Sequence, residues 1–113
     1  MKILDFSTLL PGPYATMMFA DMGADVLKVE SSTRPDLLSG MPATHQHLNR
    51  SKSAIALDLK KEESVEIVNK LVSDYDIIIE HYRPGVMKRL VLDYDSMRQV
   101  NPRIIFFSLT GYG

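Results

Sequence analysis

Cysteine is absent from the chain, so it can hold neither a disulfide framework nor a thiolate metal site. A dominant charge sign is missing too. Thirteen basic residues against fourteen acidic ones leave a net charge of −1, and no global basic field argues for nucleic acid as a partner. The first residues run straight into an apolar pattern, with no basic stretch followed by a long hydrophobic one, so no secretory signal is expected. No apolar run approaches the length that spans a bilayer, and no membrane partner is expected. Internal repeats and low-complexity segments are absent as well. The lack of cysteine fits a reducing compartment, and the cytoplasm is the expected location. What remains is ordinary: 45% hydrophobic and 24% charged residues in 113, enough for the core of one small domain.

The opening stretch organises the rest. Residues 3–6 form a short apolar run, and Leu9-Leu10-Pro11-Gly12-Pro13 breaks it. Pro13 has its φ fixed for the first position of a helix. Ala15, Met18, Phe19 and Met22 recur at i, i+3, i+4 and i+7, which predicts a helix with that stripe buried. Gly23 stands where such a helix would end in the left-handed conformation. Val26, Leu27 and Val29 begin a second strand. Strand, helix and strand make a βαβ unit with parallel pairing and a right-handed crossover.

Residues 30–53 show no clean period and read as a long surface connection, with a helical turn near residues 36–38. His45 and His47 lie there as a His-x-His pair without a carboxylate at ligand spacing, so a solvated pair is expected rather than a metal site. Residues 53–59 alternate as a strand, and residues 60–73 as a helix with Val65, Val68, Leu71 and Val72 inward. Ile77-Ile78-Ile79 is apolar on both faces, the mark of a central parallel strand. Val86 to Leu90 reads as a short helix, Asp93 as the cap of another, and residues 104–109 as the last strand. Five strands alternating with helices predict an α/β fold with a Rossmann-like, doubly wound parallel sheet. The Gly-x-Gly-x-x-Gly fingerprint is missing after the first strand, which disfavours a dinucleotide.

Ligands of open parallel sheets lie beyond the carboxyl ends of the strands. The loops there carry Arg34, Lys60, Arg83 and, a helical turn on, Arg89, with the ring of Tyr82 beside them. Arg83 and Arg89 flank Pro84-Gly85 and are expected over one pocket. Cations with an aromatic ring suit a ligand bearing phosphates and a flat base. A receiver-like interaction domain is disfavoured, because Asp5 lacks the acidic pair such a site needs. A stand-alone nucleotide-binding module remains open.

Four blocks in order then resemble the N-terminal part of family III CoA transferases, a superfamily that includes 2-methylacyl-CoA racemases. They are Leu-Asp-Phe-Ser through Val29-Glu30, Leu48-Asn-Arg-Ser-Lys through Leu59-Lys60, Glu80-His-Tyr-Arg-Pro-Gly through Leu90, and Asn101-Pro-Arg through Gly113. The resemblance implies a Rossmann-like domain that binds coenzyme A, in an enzyme several times longer that forms a homodimer interlocked like two rings. On that basis residues 1–113 are the CoA-binding part and the rest is absent. Leu9, Leu10 and Pro11 would line the pantetheine side. Leu57 and Lys60 would hold the adenine and phosphate region, His81, Tyr82 and Arg83 the nucleotide, and Arg89 a phosphate. After the second strand, where family members carry a basic or proline residue and then Gly-Asp, this chain has Ser31-Ser32-Thr33-Arg34-Pro35-Asp36, and Arg34 takes the place of the basic residue. The substrates implied are an acyl-CoA and a carboxylic acid, with no metal. The family's nucleophilic aspartate matches no residue here, so no catalytic residue is expected in the chain, and the chain alone is expected to be inactive.

Overall fold

A computed structural model of the protein describes residues 1–8, 11–32 and 42–109. The elements run β1 (Lys2–Asp5), α1 (Pro11–Asp21), β2 (Asp25–Ser31), α2 (Pro42–Leu48), β3 (Ser53–Leu57), α3 (Glu62–Val72), β4 (Ile77–Glu80), α4 (Val86–Arg89), α5 (Tyr94–Val100) and β5 (Ile105–Ser108). All strands are parallel, in the order β3-β2-β1-β4-β5. That is the Rossmann order, and the expected α/β sheet of five strands is what the chain forms.

Alternation along the strands divides the core between the two sheet faces. Leu4, Phe6, Val29 and Ile78 point to one face, where Val68 and Val72 of α3, Met87 of α4 and Met97 of α5 cover them. Ile3, Val26 and Ile79 point to the other, with Ala20 of α1 over them. Asp5 and Lys28 follow Ile3 and Val26 by two, so they share that second face, and they are register partners across β1 and β2. Both are buried.

Three sequence expectations are corrected. In α1 the inward residues are Pro13, Thr16, Met17 and Ala20, while Met18 and Met22 are exposed. The apolar pattern missed this because the inward face carries a threonine, whose hydroxyl donates to the buried carboxylate of Asp5 at 2.6 Å. The connection over residues 30–53 contains α2, which begins at Pro42, a residue preorganised for a first helical turn. The helical turn expected at residues 36–38 lies outside the described residues. The strand expected over residues 104–109 is shorter and forms an edge: Ile105 and Phe107 are each 55% exposed.

The helix stop at Gly23 is as expected. Its φ is 97°, its N–H donates to the Ala20 carbonyl at 3.0 Å, and Ala24 N–H reaches the Phe19 carbonyl at 3.0 Å.

Candidate functional site

The chain proceeds from β1 outward to β2 and β3, then crosses back so that β4 pairs with the free side of β1. The strand order therefore reverses between β1 and β4, and the loops leaving these strands part to opposite faces. They meet through a specific contact. Phe6 N–H extends the β1–β4 ladder to the Ile79 carbonyl at 2.8 Å. Thr8 N–H then donates to His81 Nε2 at 3.1 Å, and the Thr8 hydroxyl lies 3.0 Å from the same nitrogen. A ring nitrogen that accepts carries no proton, so the neutral imidazole holds its proton on Nδ1.

The loop from β1 is tightly fixed where it enters α1. A side-chain carbon on Gly12 would lie 2.1 Å from Ser7 Oγ and 2.2 Å from Ser7 Cβ, so only glycine lets the helix start this close to the strand end. Beyond β4, the carboxylate of Glu80 turns back to accept the Tyr82 N–H at 2.8 Å. Tyr82 is half-buried, with its ring 5.8 Å from that of His81. Burial pushes its phenol above the ordinary value of 10.0, and the carboxylates of Glu80 and Asp5 push the same way, so the hydroxyl stays a donor.

Two grooves flank α4. One, of about 520 Å³, is lined by Leu59, Lys60, Lys61, Val65, Arg89 and Val91 among others, and Glu62 and Glu66 also border it. It brings Lys60, from the end of β3, to Arg89, from the end of α4. The other, of about 410 Å³, is lined by Tyr82, Arg83, Pro84, Lys88, Tyr94 and Phe106 among others. Both volumes lie in the range of small-molecule sites. Arg83 and Arg89 thus serve two neighbouring grooves rather than the single pocket expected from their spacing.

The remaining expected site residues fall as follows. Lys60, Arg83 and Arg89 are exposed, and His81 and Tyr82 are half-buried. Leu57 is buried at the end of β3 among the core residues and lines neither groove. Pro11 opens α1. Leu9, Leu10 and Arg34 lie outside the described residues. Among the described residues no group of three histidine, cysteine or acidic side chains could hold a metal. His47 is exposed and its ring lies against the Arg50 guanidinium, which also donates to the Asp21 carboxylate at 2.6 Å.

Sequence reasoning missed the polar cluster beneath the turn. Asp5 accepts from Ser7 N–H at 2.8 Å, from the Ser7 hydroxyl and from Thr16. Lys52 Nζ lies 3.7 Å from Asp5 and donates to the Pro13 carbonyl at 3.0 Å. The signal was present: Asp5 and Lys28 interrupt apolar runs in adjacent strands, and charges in such positions need partners.

Over all of residues 1–113 the sequence matches CoA-transferase family III. The chain belongs to that family. An acyl-CoA transferase from Fusarium pseudograminearum is 37% identical to it, and human succinyl-CoA:glutarate CoA-transferase is 36% identical. Each match takes in 100% of this chain and 28% of the relative, so the chain spans under a third of the length of these relatives. Among solved structures, a hypothetical protein from Mycobacterium tuberculosis superposes with a TM-score of 0.93 at 34% identity, over 100% of this chain and 33% of that one.

Proposed function

We propose that the chain is the CoA-binding part of a transferase that moves coenzyme A between an acyl-CoA and a carboxylic acid. The observation that carries this reading is the convergence of Lys60 and Arg89, from elements far apart in sequence, on one groove beside α4, in a chain whose whole length matches the family. Exposed ammonium and guanidinium groups suit the phosphates of the nucleotide end. The neighbouring groove offers Tyr82, Tyr94 and Phe106 as flat apolar surface, with Arg83 at its border, for the base. The thin pantetheine arm then runs past the start of α1 toward the reacting thioester.

In this reading the thioester carbonyl is attacked by a carboxylate from outside these residues. An aspartyl–acyl anhydride forms and the CoA thiolate leaves. The thiolate then attacks the aspartyl carbonyl, releasing the acid and leaving CoA bound to the enzyme as a thioester for the next carboxylate. The residues described here bind and orient CoA and supply none of the bonds made or broken. A homodimer completes the proposal.

Titration calorimetry with CoA tests the site. Lys60→Ala and Arg89→Ala are each expected to weaken binding about tenfold, the loss of one charge-assisted contact. Unchanged affinity in both variants sinks the reading.

A further inference from the structure

The end of β1 and the start of α1 are held together by groups that take no part in the proposed chemistry. The Asp5 side chain is fully buried and that of Lys52 is 1% exposed. Asp5 ties the strand end to the helix by accepting from Ser7 and Thr16 together. Lys52 enters from the segment before β3, donates to the Pro13 carbonyl in the first turn of α1 and to Asn49 Oδ1 at 3.2 Å, and faces Asp5 Oδ2. The end of β1 and the first turn of α1 are thus fastened to one ion pair.

We propose that Asp5 and Lys52 are positioning residues for acyl-CoA: the pair sets how the first turn of α1 is held against the end of β1, beside which the pantetheine arm lies, and touches no part of the ligand. This assignment rests on the CoA site proposed above.

Stability alone is a weak reason for such a pair. Removing two charges from water costs about as much as their attraction returns, and apolar residues of similar size often serve as well. What an ion pair adds is a single arrangement, because each member accepts few alternatives. Here the arrangement fixed is that of Ser7 relative to Pro13 and Thr16. The charged groups facing Lys52 are Asp5 from β1 and Lys28 from β2; Asn49 and the Pro13 carbonyl are its neutral partners. Burial lowers the Lys52 ammonium from 10.5 to about 8, Asp5 opposes that shift, and Lys28 adds to it. The pair therefore loses its cation a little above neutrality, and with it the attraction between Asp5 and Lys52.

The experiment uses the complete polypeptide in which this chain occurs, with two probes titrated between about pH 7 and 9. One is a non-hydrolysable thioether analogue of acetyl-CoA, which has no free thiol to ionise. The other is adenosine 3′,5′-bisphosphate, which lacks the pantetheine arm. Affinity for the thioether is expected to fall about tenfold across this range, while that for the bisphosphate stays level. Asp5→Asn removes the charge and one of the two acceptor oxygens, so the Lys52 ammonium loses its partner and the midpoint of the fall moves to lower pH. Lys52→Met abolishes the pH dependence and leaves the weaker affinity throughout. A purely structural role would lower thermal stability without moving a binding midpoint. Level thioether binding in the unaltered protein, or a parallel fall for both probes, overturns the assignment while leaving the CoA site intact. Failure of both probes to bind at any pH removes the CoA site and this assignment with it. The comparison of probes in the unaltered protein decides the matter even if a variant fails to fold.

Discussion

At the scale of single residues, the site depends on groups with little freedom to change. Gly12 packs against Ser7 with no space for a methyl group. Gly12→Ala is expected to destabilise the chain by about 1–3 kcal/mol, the cost of overpacking a tight contact, seen as a lower urea midpoint. The buried ammonium makes a second prediction. Lys52 titrates near 8 when folded and 10.5 when unfolded, so between these values the unfolded chain holds more protons. Stability therefore rises with pH from about 8 toward 10.5. The phenols of Tyr82 and Tyr75 act in the opposite sense. Their folded values lie above 10.0, so their contribution is present below that pH and lost as pH climbs through the folded values. Urea midpoints at pH 7.5, 8.5 and 9.5 should increase in the unaltered chain and level out in Lys52→Met.

At the scale of elements, α4 shows a rule broken. The helix ends with Val91 N–H on the Lys88 carbonyl at 3.0 Å and Leu92 N–H on the Met87 carbonyl at 2.8 Å, which puts Val91 in the left-handed region at φ 59°. A β-branched side chain pays for that conformation, and glycine does not. Val91 is 59% exposed, so little packing is lost with its side chain. Val91→Gly is expected to stabilise the chain by about 1 kcal/mol net, read as a higher thermal midpoint.

Elements also show where the sequence was legible. The runs of β1, β2 and β4 and the stripe of α3 were plain, because apolar residues in them repeat at the period of the structure they form. The face of α1 was misread, because Thr16 faces a buried carboxylate rather than apolar neighbours. The segment of α2 carries few apolar residues and showed no period. Lys60 and Arg83 were singled out by their place after strand ends, and Arg89 a helical turn further on. Their division between two grooves depends on how α4 sits against the sheet, and no local spacing encodes that. Asp5 and Lys52 stand 47 positions apart and meet only after β2 and β3 have been laid beside β1; no motif joins them.

At the scale of the whole molecule, the two edges of the sheet differ. β3 closes one side with small residues outward, Ser53, Ala54 and Ala56. β5 forms the other and shows Ile105 and Phe107. An apolar edge strand is a template for further pairing. The 113-residue chain on its own is expected to self-associate in light scattering, and Ile105→Lys with Phe107→Lys should return it to a monomer.

The same strand order governs how the molecule comes into being. The backbone N–H of Lys2 binds the Asp76 carboxylate 74 positions away, and Ile3 pairs with Ile77 across the middle of the sheet. Contacts this distant in sequence close slowly. On a ribosome, β1 is made before either strand that will enclose it. Ile3, Leu4 and Phe6, among the most deeply hidden residues at the end, wait in the open until β4 has left the exit tunnel. That interval is when a nascent chain of this topology most needs a chaperone.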